Sequence, residues 1–245
     1  LGRGGSDTTG VAIAVALQAD ECQIYTDVDG VFTADPRICS KAQLLDQISF
    51  NEMLELSSTG TKVLQLRAVE YASKNDMPIR VLSSFSESKG TRVEEREDME
   101  RPVISGLSSI DTEAKLTIRG VPDLPGVAAK ILGPISDAGI EVDVIVQNIS
   151  ADNTTDFTFT VALASVEQAA EVIENDSSVK YTEVVTGSNL AKVSVVGTGM
   201  ENAPGYAAKM FSTLAAAGVN IDMITTSEIR ITTIIERDQV QQAVQ

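Results

Sequence analysis

Hydrophobic and polar positions change period several times along the first third of the chain. Residues 11–17 are an Ala/Val/Ile run behind Gly4 and Gly5, with Ser6, Asp7 and Thr8 as N-cap types, and they predict a buried helix. Residues 23–26 are a short β-type run, followed by an acidic loop with Gly and Pro over 27–37. Ser49 with Glu52 three residues later forms a capping box, and Met53, Leu54 and Leu56 supply the apolar positions of the helix behind it. A second helix is predicted over 61–74, with Val63, Leu66, Val69 and Tyr71 or Ala72 near one face, and 79–85 reads as a strand. Alternating strands and helices argue for an α/β fold with a largely parallel, helix-covered sheet.

Residues 86–101 are polar and poor in apolar side chains, and they predict a surface connection and a domain boundary. Beyond it the chain repeats itself. Pro125-Gly126-Val127-Ala128-Ala129-Lys130, then Ala138-Gly139-Ile140, Asp143 and Ile145, recur 79 residues later as Pro204-Gly205-Tyr206-Ala207-Ala208-Lys209, Ala217-Gly218-Val219, Asp222 and Ile224. Each copy opens with a strand (115–119; 192–196), then a Pro-Gly turn, an Ala-rich helix, a Gly stop and a β-branched strand (140–149; 219–224). An alternating strand follows (156–161; 228–235), and the first copy adds a helix over 166–175 and a strand over 180–185. This order is βαββαβ, a ferredoxin-like unit. The second copy's last helix starts near Asp238 with no strand after it, so that copy is truncated or borrows a strand.

Composition narrows the chemistry. The 245 residues include no His and no Trp, with 19 Lys+Arg against 35 Asp+Glu for a net charge of −16. Without imidazole there is no Ser-His-Asp or Cys-His pair and no HExxH zinc site. A net acidic chain without clustered Lys/Arg argues against nucleic acid and anionic membranes as partners. Cys22 and Cys39 lack CxxC spacing and read as free thiols of a reducing, cytoplasmic compartment. No run of 18 apolar residues suggests a membrane span, and a start at Leu1 on a glycine-rich motif suggests a piece of a longer protein.

The segment Gly2-Arg3-Gly4-Gly5-Ser6-Asp7-Thr8-Thr9 is the most chemical part of the sequence. Its glycines allow close backbone approach, the helix start behind it offers free N–H groups to an anion, and Arg3 adds a fork for carboxylate or phosphate. A plain Gly turn with a Ser/Asp cap accounts for the same residues. Asp27-Val28-Asp29-Gly30 and Asp35-Pro36-Arg37 lack the closing Glu of a calcium loop, and a strand precedes them. A loop after a strand's carboxyl end is a usual ligand position, so Thr26, Asp27 and Arg37 are candidates to bind a nucleotide; a solvated turn is the alternative. Lys62, placed by the pattern at a helix start, opposes the dipole and so hints at a facing anion, although a solvated Lys fits equally. The Pro-Gly turns at Asp123-Leu124-Pro125-Gly126 and Ala203-Pro204-Gly205 could offer helix-start amides to a small carboxylate, with Gln147, Asn148, Thr155 and Asp156 as polar neighbours, or could simply be tight turns.

Taken together, residues 1–9, the run YTDVDGVFTADPR over 25–37, the run SFNEMLELSSTGTKVLQLRAVEY over 49–71 and the two Pro-Gly repeats resemble, in order, an aspartate kinase of the amino-acid kinase family with paired ACT domains. The resemblance implies the carboxy-terminal part of an amino-acid kinase α/β sandwich over 1–86, a linker over 87–102, a first ACT domain over 112–187 and a second built from 103–110 plus 190–245. The first would be an insertion in the second, whose missing strand comes from 103–108. It further implies ATP-dependent phosphorylation of the L-aspartate side chain to 4-phospho-aspartate, the committed step toward lysine, threonine and methionine. Arg3 and Ser6 would bind aspartate, and Asp7 would organise the catalytic cations. Thr26, Asp27, Phe32 and Arg37 would contact ATP, with Lys62 near its phosphates. Phe32 stands where the family commonly has Tyr, which removes a hydroxyl and keeps a ring. Mg²⁺ would be held mainly through ATP, with no protein residue assigned as a metal ligand.

For the ACT pair the resemblance implies lysine and/or threonine as effectors. They would be bound where ACT units of two chains meet, helix-start amides of one unit facing strand edges of the other, by Asp123, Pro125, Gly126, Val127, Ala128, Gln147, Asn148, Thr155 and Asp156 of the first ACT unit and Ala203, Pro204, Gly205, Asn220 and Ile221 of the second, in a homodimer or higher oligomer. The family's Lys-Phe-Gly-Gly-Ser/Thr segment is absent from these residues, so the chain alone is expected to be inactive. Three parents are considered: a kinase, a non-catalytic amino-acid-binding regulatory subunit, and a kinase fused to homoserine dehydrogenase. Retention of residues 1–37 favours the first.

Overall fold

The computed structural model describes residues 4–95, 103–149, 153–200 and 204–245. Two compact units are present: Leu1–Ile110 with Lys192–Ile235 and Gln239–Gln245, and Asp111–Ala191 with Glu236–Asp238.

The first unit opens with α1 (Gly5–Ala16) and β1 (Cys22–Thr26). The helix begins six residues before the expected position 11. Gly4 takes the N-cap place at φ 76, so Ser6, Asp7 and Thr8 lie inside the first turn and none of them caps it. β2 (Gln47–Ile48) leads to α2 (Phe50–Ser58), where the capping box forms: the Ser49 hydroxyl accepts from the Glu52 amide and the Glu52 carboxylate receives the Ser49 N–H.

α3 spans Leu66–Lys74, shorter than the expected 61–74. Leu64 is buried and Val63 packs against the same core from a non-helical segment, so Lys62 precedes the helix by several residues. The dipole argument for Lys62 therefore does not hold. Buried Ala68, Val69 and Ala72 form the inner face of α3.

β3 (Ile79–Ser83) buries alternate residues, and β4 (Thr91–Val93) does the same. β4 corrects the reading of 87–102 as a linker: Thr91 and Val93 have no solvent exposure and lie inside the sheet. Sheet order is β1-β3-β4-β2. β1/β3 and β2/β4 are parallel, as expected, whereas β3/β4 are antiparallel because a short loop joins them, so two of the three pairings are parallel and the sheet is mixed at β4.

β5 (Gly106–Pro122) and β8 (Glu183–Val196) each merge two strands that the pattern had separated. Between them run α4 (Val127–Asp137), β6 (Val142–Ile149), β7 (Thr154–Ala162) and α5 (Val166–Asn175). After β8 come a 3-10 turn (Thr198–Met200), α6 (Tyr206–Ala216), β9 (Met223–Thr226), β10 (Arg230–Glu236) and α7 (Val240–Val244).

In the second unit the strand order is β6-β7-β5-β8, with β5/β7 and β6/β7 antiparallel. Leu116, Ile118, Phe157 and Phe159 project against Ile131 and Ile135 of α4 and Ala169 and Ile173 of α5. Helices on one face of an antiparallel sheet make this the ferredoxin-like unit expected from the repeat. In the first unit the order β5-β8-β10-β9 recurs, with Val195, Met200 and Ile231 packed against Tyr206, Ala207, Met210 and Phe211 of α6. The Ser105 N–H donates to Val196 O at 2.8 Å, laying the entry to β5 beside the end of β8.

Candidate active site and effector sites

A short turn over residues 17–21 joins α1 to β1. Ser6 is exposed and donates to Asp7 Oδ1 at 3.3 Å, and Asp7 Oδ2 accepts the Gln65 N–H at 3.4 Å. A Cβ on Gly4 would come within 2.8 Å of the Gln65 side chain, so glycine is what lets the helix start approach this segment. Ser6, Asp7 and the segment carrying Lys62 thus share one neighbourhood. Lys62 is exposed and makes no ion pair among the described residues. Arg3 lies outside the described residues.

Thr26 ends β1, and its hydroxyl donates to Asp27 Oδ1 at 3.1 Å. Phe32 is half-buried and bridges to Leu44. Arg37 is spoken for locally. Its Nε and Nη2 donate to Asp35 at 3.0 and 2.7 Å, and its backbone N–H adds a third bond at 2.9 Å. The Arg37 guanidinium beside Asp35 holds that carboxyl below its usual range. With its side chain 86% exposed, the guanidinium could still reach a ligand, by leaving or sharing Asp35.

The 27–37 loop is fixed from the sheet. Thr91 Oγ1 accepts the Val31 N–H at 2.8 Å and donates to Leu45 O at 2.6 Å. Among the described residues no three His, Cys, Asp or Glu side chains converge as a metal site.

In the second unit the effector candidates gather at one end of the sheet. Gly126 caps α4 at φ 89, and the Asp123 N–H donates to Asn153 O at 3.0 Å. Pro122 pairs with Thr154 and Asn148 with Asp156, which brings 123–128 near Gln147, Asn148, Thr155 and Asp156. Thr155 is buried, its hydroxyl donating to Asn148 O at 2.5 Å, and Asp156 Oδ1 accepts the Gly120 N–H at 3.1 Å. Both side chains are already engaged by the backbone. Pro125, Val127 and Ala128 occupy the turn and first helical positions beside them.

In the first unit, Pro204 and Gly205 (φ 100) open α6, whereas Asn220 and Ile221 follow its other end. An eleven-residue helix separates the two pairs by about 16 Å, so they are not brought together. Ala203 lies outside the described residues.

Residues 1–83 match the amino acid kinase family, and residues 116–177 and 193–245 each match the ACT domain. The chain is 59% identical over 247 aligned positions to an aspartate kinase of Pseudomonas fluorescens, covering all of this chain and 60% of that protein. A solved chain of aspartokinase alpha and beta subunits is 42% identical with TM-score 0.54, covering 58% of this chain and 93% of its own.

This chain belongs to the aspartate kinase family.

Solved members superpose along its whole length. The Clostridium acetobutylicum aspartate kinase has TM-score 0.88 at 27% identity, with 57% of that chain covered. E. coli aspartokinase III has TM-score 0.82 in complex with aspartate and ADP, and 0.80 in complex with lysine and aspartate, at 27% identity and 55% coverage in both. This chain therefore spans about 60% of the length of the curated relative.

Sequence reasoning missed a buried polar cluster. Glu52 was legible as half of a capping box, but its other oxygen accepts from Ser105 Oγ at 2.6 Å and from Thr198 N and Oγ1 at 3.1 and 2.9 Å. Burial pushes this carboxyl up, yet donors from Ser105, Thr198 and Ser49 outweigh it and hold the group below its ordinary value. An acidic residue one turn ahead of Leu56, on the helix face that Met53 and Leu56 bury, was the available signal. Its partners, 53 and 146 residues away, left none.

Proposed function

We propose that this chain is the carboxy-terminal portion of an aspartate kinase that transfers the γ-phosphoryl group of ATP to the side-chain carboxylate of L-aspartate. The products are 4-phospho-L-aspartate and ADP. The observation that carries the reading is the contact of Asp7 with the Gln65 amide, which joins the free N–H groups of α1's start to the segment bearing Lys62. The absence of His fits this chemistry, because the attacking carboxylate is already ionised near neutral pH and needs no general base.

Catalysis then rests on positioning and charge. Ser6 and Arg3 bind the aspartate, and Asp7 orders the cations. Thr26, Asp27 and Phe32 hold the nucleotide at the carboxyl end of β1, and Lys62 neutralises its phosphates. Arg37 joins them by leaving or sharing Asp35. The nucleotide's oxygens would be the main ligands of Mg²⁺, which would supply charge neutralisation. Lysine and/or threonine would act at the cluster around Asp123, Gln147 and Asp156, a reading supported by the solved E. coli relative in complex with lysine and aspartate. Assembly of the ACT units into a homodimer or larger oligomer belongs to the same proposal.

Acyl-phosphate formation, trapped by hydroxylamine, tests the assignment in the full-length protein. Asp7→Asn and Lys62→Ala should each lower kcat roughly 100-fold or more with the far-UV spectrum unchanged. No hydroxamate from ATP and aspartate in the unmutated full-length protein would refute it.

A further inference from the structure

Glu52 is 2% exposed, and none of its hydrogen-bond donors among the described residues is a cation. A carboxylate is costly to bury in this way, and a capping box does not require it, since a Gln at the same place would serve. One oxygen does the capping, accepting from the Ser49 N–H and hydroxyl at 3.1 and 2.7 Å. The other is wholly committed to Ser105, just before β5, and to Thr198 in the 3-10 turn after β8. These partners flank the strands of the second ACT-type unit.

The contact continues along one face of α2. Glu55 pairs with Arg230 of β10 at 2.8 Å. Leu56 lies against Gly106, where an added Cβ would sit 3.1 Å from Leu56 Cδ1. Thr59 donates to Glu55 O at 2.6 Å, which makes Ser108 the donor in the 2.6 Å contact between their hydroxyls. Gly60 then passes so close to the strand that a Cβ would meet Ser109 O at 2.7 Å. Positions 52, 55, 56, 59 and 60 form the i, i+3, i+4, i+7, i+8 stripe of a helix and its exit, and the next residues lead to Lys62. The same strand also donates from the Leu107 N–H to Thr33 O at 2.8 Å, in the loop between Asp27 and Arg37.

We infer that Glu52 is a positioning residue: its carboxylate pins the first turn of α2 to Ser105 and Thr198, so that a shift of the second ACT-type unit moves the Gly60–Lys62 segment against the nucleotide. This rests on the proposed kinase function. The geometry suits such a role because a buried carboxylate with several fixed donors has few alternative arrangements. Movement of its donors must drag the helix or break the cluster.

The test is made in the full-length protein with the double variant Ser105→Ala/Thr198→Val, which strips the joint's hydroxyls and leaves the Ser49 cap intact. Effector affinity is read by calorimetry with lysine and with threonine, and inhibition by the hydroxamate assay. The inference expects the uninhibited kcat to stay within about threefold and the effector Kd within about twofold, while the concentration for half-inhibition rises at least about tenfold. Restoring the hydroxyls with Ser105→Thr or with Thr198→Ser should return inhibition toward that of the unmutated protein. A purely structural role would move Kd, kcat and thermal stability together, and that result overturns the inference.

Should the double variant not fold, Ser105→Ala alone is examined by hydrogen exchange at residues 59–62. Loss of the effector-induced change there supports the joint, and its persistence refutes it. If the unmutated protein phosphorylates aspartate and is inhibited while the variants are inhibited equally, only the inference falls. If neither amino acid inhibits the unmutated protein, the regulatory reading falls and the inference with it.

Discussion

Thr91→Val isolates the difference between a surface connection and an internal strand. Thr91 is fully buried in β4, and its hydroxyl holds two backbone groups of other segments, the Val31 N–H at 2.8 Å and the Leu45 carbonyl at 2.6 Å. Gly30 makes the approach possible, since a Cβ there would sit 2.5 Å from Thr91 Oγ1. Valine keeps the shape, so no cavity opens, but both backbone groups lose the partner that the fully buried Thr91 supplies. At about 1–3 kcal/mol for each unsatisfied buried group, partly relieved by local adjustment, the substitution should cost about 2–4 kcal/mol. Amide exchange at Val31 reads this directly and should quicken about 30- to 900-fold if opening of the first unit limits it. Thr91→Ser, which keeps the oxygen, should recover most of the loss. A Val31 exchange rate within about threefold of the unmutated chain, and a stability change within about 0.5 kcal/mol, would place residue 91 on the surface and refute the four-stranded order.

In the second unit, Phe159→Ala removes a fully buried ring that sits 6.2 Å from Phe157 and should cost about 3–5 kcal/mol in urea denaturation; a loss under about 1 kcal/mol would contradict its place in the core. Gly126→Ala and Gly205→Ala meet no neighbour within 4 Å but lie at φ 89 and 100, so each should cost only about 1–2 kcal/mol of backbone strain, and a much larger loss would mean a hidden clash. Glu52 titrates below its ordinary value of 4.5 in the folded chain, so its stabilisation is complete above that pH and is lost as pH falls through the folded value. Unfolding free energy should therefore decline on acidification more steeply in the unmutated chain than in Glu52→Gln, and equal slopes would exclude a charged, hydrogen-bonded Glu52.

Local signals in the sequence were reliable wherever a short stretch of chain settles its own geometry. The Ser49/Glu52 box, α5 and the Pro-Gly openings of α4 and α6 form as the pattern requires, because capping and left-handed turns depend on residues a few positions apart. The start of α1 and the length of α3 were misread for the opposite reason. Gly4 and Gln65 meet across the fold, and Leu64 finds its core position without being helical.

The 79-residue repeat established two copies of one unit, and composition alone showed that these 245 residues carry no imidazole. Both follow from residue identity without coordinates. Tertiary structure decided the rest. A polar stretch proved to contain β4, because a strand of three residues with neighbours on both sides needs only Thr91 and Val93 to be buried. It also decided that Glu52 does more than cap a helix, since its second oxygen is satisfied by Ser105 and Thr198. A helix cap is a property of neighbouring residues. The donors that make a buried carboxylate tolerable are a property of distant segments, and only folding brings them within reach.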